Sequence, residues 1–406
     1  MAPLQTGKLL EVNMQTVSIP WRAYYDQTNL DLTFPDEWTV EVSNMKGGED
    51  IGDKGIRNAF ANPIGSTSLR EIAASRTSAA IIIDDLSRPT PADRLLPYIL
   101  EELEAGGIGV ENTKIIAAVA AHRPMVRDDF IKKVGQNIVD KYYVTNHDAY
   151  GTLDFLGHSS RGIPIWVNRD FMSCDVRIAL GMITPRGGFF GGGSKLVLPG
   201  VCGHVTITAN HRYIHENFRE HLDEVGKMAG LSFLVNPLLN PELGIIDMVT
   251  GDPSEAYWDG VERGKDLYAS PFPEDLDVAI FNAFPKDTEF MQAGMAMVPM
   301  GTGSGHRHKI KDDATVVIIS ASPEGLGWHS VFGPLGSLSK GNASSPSKWR
   351  TIMLSPGVNK WDVIMKHGQD VIHTQTWEQT LAELQKVHGE GARVGVFPCG
   401  AMQYAP

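Results

Sequence analysis

The hydrophobic pattern changes character twice along the chain. Up to residue 50, short runs alternate apolar and polar positions: Leu9-Leu10-Glu11-Val12, Val17-Ser18-Ile19-Pro20-Trp21 and Trp38-Thr39-Val40-Glu41-Val42. Turn residues separate them, which predicts β-hairpins. The rhythm then becomes one of continuous apolar runs and amphipathic stretches. Ala79-Ala80-Ile81-Ile82-Ile83 and Lys114-Ile115-Ile116-Ala117-Ala118-Val119 read as buried strands, with helical periodicity over residues 91–104 and 126–134. Alternating buried strands and helices imply βαβ units and a parallel sheet covered on both faces, where ligands bind beyond the C-terminal strand ends. Residues 176–183 form another such strand, and a helix is expected from about 209 to 228.

A Pro-rich connector, Ser270-Pro271-Phe272-Pro273, opens a second unit. There residues 277–282 and 315–320 read as strands, 376–387 as a helix and 393–397 as a strand. The expected fold is therefore α/β: two α/β domains with an active-site cleft between them. The first, over 1–269, would bind a cofactor, and the second would span 270–406, its last residues packing back on the first. A chain of 406 residues is long enough for two cores.

Composition narrows the function. A formal net charge of -12 without any Lys/Arg block argues against nucleic acid as the partner. The absence of an 18-residue apolar run and of a leader-like start predicts a cytoplasmic protein with no membrane partner. Cys174, Cys202 and Cys399 lack zinc-ribbon spacing and are expected to be buried free thiols.

The densest chemical signal is Gly187-Gly188-Phe189-Phe190-Gly191-Gly192-Gly193-Ser194-Lys195, with His211 sixteen residues further on. Clustered glycines let backbone approach a bulky ligand, and a lysine beside them can attack an electrophilic carbon or neutralise a phosphate. The segment is not a P-loop, because Ser194 precedes the lysine and Leu196 follows it. Three further clusters sit at predicted strand ends. Asp85 and Arg88 lie three apart in a Pro-flanked turn, so both can point at one ligand, Arg88 offering a bidentate grip on a carboxylate. The same turn also suits simple helix capping. His122 is placed as a general base, whereas His147 suits a hydrogen-bonded structural role. His211 and His215, four apart on a predicted helix, would suit zinc, which leaves a zinc-dependent hydrolase open; a third ligand and an HExxH motif are missing, however.

In order, Asp85-x-x-Arg88-Pro89, then His122-Arg123, then Gly192-Gly193-x-Lys195 before Pro199-Gly200, then His211, resemble the lactate racemase family. Pro285-x-Asp287, Gln292 and the closing Val396-Phe397-Pro398 extend the likeness. The resemblance implies a nickel-pincer nucleotide (nickel pyridinium-3,5-bisthiocarboxylic acid mononucleotide), held covalently by Lys195 through a thioamide and ligated at nickel by His211. Gly192 and Gly193 would line the cofactor. His122 would be an acid/base residue, Asp85 would orient its neighbours, and Arg88 and Gln292 would bind the substrate carboxylate. The implied activity is racemisation or epimerisation of a 2-hydroxy acid by reversible hydride transfer to the cofactor, with cofactor-biosynthesis enzymes as partners.

Two departures stand out. Arg186 follows Pro185 where the family has a second catalytic histidine, and Met295 stands where the family has a lysine. Arginine is a poor base at neutral pH, so Arg186 is expected to bind substrate, gripping a second acidic group. His306 or His308 would then be the second base. The alternative is a cofactor-binding homologue without racemase activity.

Overall fold

Apolar runs without interruption become strands buried on both faces, and the amphipathic stretches between them become the helices that cover those faces. The computed structural model describes residues 14–186, 188–212, 217–301, 305–333, 336–339 and 348–406. A hairpin of β1 (Met14–Trp21) and β2 (Thr28–Pro35) opens the chain, followed by β3 (Thr39–Val42). Next come β4 (Ala79–Ile83), β5 (Thr113–Ala117), β6 (Tyr143–Asn146), the antiparallel pair β7 (Leu153–His158) and β8 (Pro164–Asn168), and β9 (Val176–Leu180). A two-residue ribbon of β10 (Pro185–Arg186) and β11 (Phe189–Phe190) precedes β12 (Phe233–Leu239) and β13 (Ile245–Gly251).

The first large sheet has the order β13-β12-β9-β4-β5-β6, parallel except for the edge strand β13. All five residues of β4 are buried. Helix Ala92–Ala105 covers it with Leu95, Leu96, Ile99, Leu100 and Leu103, one apolar stripe at helical spacing. Burial of each such side chain is worth about 1.5–3 kcal/mol. Because β9, β4 and β5 are parallel neighbours, their C-terminal ends share one edge, and the chain leaves that edge towards Arg186, Asp85 and His122 respectively.

The second sheet is parallel throughout: β14 (Leu276–Asn282), β15 (Ile310–Ile319), β16 (Arg350–Leu354), β17 (Ile372–Thr374) and β18 (Arg393–Phe397) join in the order β17-β16-β15-β14-β18-β3. The first fifty residues therefore do more than form hairpins, because β3 runs parallel to β18 and closes the second sheet's edge. Residues leaving β14 and β15 carry Gln292 and His329.

Polar ties join the two sheets. Arg123 bridges Asp129 at 2.6 Å and Glu324 at 2.7 Å. Buried Asp287 accepts the Arg22 and Ala23 amides at 2.9 and 3.2 Å. Cys399 and Met402 lie in the core of the first sheet, and the Ser270 amide donates to the Tyr404 carbonyl at 2.8 Å.

The helix expected over 209–228 is two helices, His204–Arg212 and Phe218–Met228. Asn217 has φ of 61°, in the left-handed region, so the helix cannot run through it. All three cysteines are buried and free. Among the described residues no helix is long and apolar enough to cross a membrane.

Candidate active site

The loop after β4 is set by a buried lysine that no sequence motif singles out. Lys133, on helix Arg127–Val134, reaches under the loop: its amine lies 2.6 Å from Asp84 Oδ1 and donates to the carbonyls of Arg88 at 2.7 Å and Asp85 at 3.2 Å. Its fully buried charge is compensated by that carboxylate. The clamp fixes the backbone from Asp84 to Arg88, so the side chains of Asp85 and Arg88 start from a rigid base.

Asp85 Oδ1 accepts the Ser87 amide at 2.9 Å and the Ser87 hydroxyl, and Oδ2 lies 2.8 Å from His122 Nδ1. Burial alone would raise the Asp85 pKa, but His122, Arg88 and Ser87 together hold it well below the carboxylate range. An ionised Asp85 keeps the proton of His122 on Nδ1 and leaves Nε2 as the basic nitrogen. Arg88 donates through Nη1 to Ser87 O and Oγ, both at 2.8 Å, and to Gln292 Oε1 at 3.3 Å. These anchoring acceptors are neutral, and among the described residues no ion pair occupies the guanidinium.

These groups open on a cavity of about 660 Å³ whose lining comes from both sheets. Asp85, Arg88, His122, Arg186, Gly192, Lys195, His211 and Gln292 all line it. Gly193 does not. At that position, with φ of 57°, a Cβ would lie 2.5 Å from Arg219 Nη2 and 2.8 Å from Tyr257, so this glycine serves internal packing instead of the cavity wall. Gly192 is held similarly, Asn236 Oδ1 and Met182 O each lying 2.8 Å from a Cβ built there, and Arg219 Nη1 donates to its carbonyl at 2.8 Å.

Lys195 sits on the short 3-10 turn Gly193–Leu196. No described residue gives its amine a hydrogen bond or an ion pair. Burial, then the charges of Arg186 and Arg88, push its pKa well below that of an ordinary lysine, which favours the neutral, nucleophilic amine. His211 Nδ1 donates to the Ile207 carbonyl at 2.7 Å, leaving the Nε2 lone pair available. Burial first, with Lys195, His122 and Arg186 contributing, lowers the His211 pKa to about 4, so the ring is neutral at physiological pH. Those are the properties of a metal ligand.

Residues from the second sheet complete the wall. His329 was missed in the sequence, where an isolated histidine in Gly327-Trp328-His329 carries no signal. Its ring centroid lies 5.1 Å from that of His122 and 6.4 Å from that of His211. Its Nδ1 accepts the amides of Val331 and Phe332 at 3.2 and 3.1 Å, so the neutral ring carries its proton on Nε2. His306 and His308 are elsewhere. His306 stacks on Phe272 at 5.0 Å, with Nε2 3.3 Å from the Ala405 carbonyl, and exposed His308 lies with Nδ1 3.2 Å from its neighbour Gly305 O. Neither lines the cavity, so the expectation of a second base there is corrected. His147 is hydrogen-bonded to Cys202 O at 2.8 Å and to Asn168 at 3.2 Å.

A tethered nickel group needs a metal donor from the protein and an amine to anchor it. Among the described residues no three His, Cys, Asp or Glu side chains converge to hold a metal. A metal at His211 would take its other donors from a bound group, and Lys195 offers an unpaired amine in the same cavity to tether one. The residues present fit that group. His215, which the zinc alternative requires, lies outside the described residues.

A parallel α/β fold with an amine, an imidazole and an arginine in one cavity defines a class of small-molecule enzyme-like sites. Comparison with known proteins shows what the chain is similar to. A sequence model of the lactate racemase N-terminal domain matches residues 25–223. The chain is 25% identical over 344 residues to the lactate racemase of Thermoanaerobacterium thermosaccharolyticum, covering 79% of this chain and 77% of that protein. It is 25% identical over 295 residues to the lactate racemase of Lactiplantibacillus plantarum, covering 68% of each. The lactate racemase apoprotein structure from T. thermosaccharolyticum superposes with a TM-score of 0.74 at 21% identity, over 97% of this chain and 100% of that one. A Thermotoga maritima protein superposes with a TM-score of 0.65 at 15% identity, over 88% and 99%. The chain is thus similar to lactate racemases over most of its length.

Proposed function

We propose that this protein is a racemase or epimerase of a 2-hydroxy acid that works with a nickel-pincer nucleotide tethered to Lys195 and ligated by His211. The observation that carries the reading is the convergence of Lys195, His211, His122 and Arg88 on one cavity. When bound, the group supplies an electron-poor ring that can accept and return a hydride, which no side chain can do.

The chain's own residues bind, orient and move the proton. Arg88, steadied by Ser87 and Gln292, grips the carboxylate of the substrate. His122, with Asp85 at Nδ1, uses Nε2 to take the hydroxyl proton as the adjacent C–H bond breaks, and returns it afterwards. His329 offers its Nε2 proton to the same oxygen as negative charge develops there. Phe189 and Phe332 line the cavity and reduce its water content.

The test is chiral analysis of a panel of 2-hydroxy acids, including diacids and sugar acids, after incubation with protein co-expressed with the cofactor-making enzymes. Loss of enantiomeric or diastereomeric purity in at least one compound is expected. A fully loaded protein that scrambles none of them would instead be a cofactor-binding homologue.

A further inference from the structure

Resting on the functional reading above, we infer that Arg186 makes this site selective for a 2-hydroxy acid bearing a second carboxylate, a dicarboxylic substrate. Arg186 and Arg88 both line the cavity, and a single guanidinium suffices for the carboxylate of a monoacid. Among the described residues, the one hydrogen bond of the Arg186 guanidinium is from Nη1 to Met295 Sδ at 2.9 Å, a weak acceptor without charge. Among the described residues no carboxylate forms an ion pair with it.

The surroundings make this absence costly. Lys195 shares the cavity, Lys366 lines it, and Lys286 is buried behind Thr184, its amine 3.1 Å from the threonine hydroxyl and 3.1 Å from Ala401 O. The carboxylates are already engaged: Asp85 by His122 and Ser87, Asp84 by Lys133 and Thr90, and Glu289 by Gln292. A half-buried arginine without a counter-charge is costly unless a ligand supplies one. A monocarboxylate on Arg88 leaves that cost unrelieved, and a dicarboxylate removes it.

The same arrangement accounts for the base lost where Arg186 replaces the family's histidine. Exchange of the two carboxylates between Arg88 and Arg186 turns a dicarboxylic substrate over while its oxygen stays at His122. The other face is then presented without a base on the far side.

The probes are D- and L-malate, D- and L-lactate and inorganic phosphate, titrated calorimetrically into cofactor-loaded and cofactor-free protein. Wild type, Arg186→Gln and Arg186→Lys are compared, with thermal melts confirming the fold of each variant. Malate is expected to bind about 10- to 100-fold more tightly than lactate, as one charged hydrogen-bonded contact implies. Arg186→Gln should erase that ratio by weakening malate binding, and Arg186→Lys should keep part of it. Equal affinities in the wild type, a ratio that survives in Arg186→Gln, or no detectable malate binding would overturn the inference. So would phosphate binding tighter than malate and lost in Arg186→Gln, which would assign the arginine to a nucleotide phosphate. Selective malate binding without turnover leaves this inference standing and defeats the racemase reading. Turnover of lactate without selective malate binding does the reverse.

Discussion

His122 and His329 come from different sheets, yet their rings lie 5.1 Å apart and their backbones form an isolated antiparallel bridge, with the Ser330 amide donating to the Ala121 carbonyl at 2.8 Å. The pair is asymmetric. Asp85 sets Nδ1 of His122 as a donor, whereas two backbone amides set Nδ1 of His329 as an acceptor. The first ring can therefore act as a base through Nε2, and the second can only donate there.

A donor role for His329 predicts that His329→Ala lowers kcat by about 10²–10³-fold, the usual effect of removing one donor to a developing oxyanion. KM should change little, because the contact strengthens only as charge develops. Steady-state kinetics of the loaded enzyme decides this, and an unchanged kcat would exclude the role.

The lowered pKa of Lys195 predicts selective acylation in cofactor-free protein. An amine with a depressed pKa is deprotonated at a pH where ordinary lysines, near about 10.4, remain charged. Trace labelling with acetic anhydride, followed by peptide mass spectrometry, should show Lys195 modified ahead of surface lysines at neutral pH. Its rate should level off at lower pH than theirs. Labelling that tracks the bulk lysines would mean an ordinary, charged ammonium.

His147 predicts an acid-sensitive stability. Burial lowers its folded pKa to about 4, against roughly 6.5 in the unfolded chain. Unfolding therefore takes up a proton between those values. The stabilising contribution is complete above the unfolded pKa and is lost as pH falls towards the folded one, up to roughly 3 kcal/mol at about 1.4 kcal/mol per pKa unit. His147→Gln should be less stable than wild type at neutral pH, and melting curves of the two should draw together between pH 6.5 and 4. A constant gap would show that the titration contributes nothing.

The sequence made the first sheet readable because Ala79 to Ile83 and Val176 to Leu180 are buried on both faces and carry no competing pattern. It made Asp85, Arg88, His122 and Lys195 readable because each sits at or just beyond a strand end. Lys133 was not readable: two of its four partners are backbone carbonyls, which leave no side-chain signature, and the other two, Asp84 and Tyr24, lie far from it in sequence. His329 was hidden for a related reason, since its tautomer is fixed by amides and its place in the cavity depends on how the second sheet meets the first. The pairing of β3 with β18 likewise depends on contact between the chain's two ends.

The central claim is that Lys195 and His211 hold one common group. Intact-mass spectrometry with nickel quantification, on protein co-expressed with the cofactor-making enzymes, tests it most directly. The account predicts a nucleotide-sized adduct with stoichiometric nickel in the wild type, neither in Lys195→Ala, and the adduct with diminished nickel in His211→Ala. An unmodified Lys195 in the wild type, or nickel retained in full without that lysine, would contradict it.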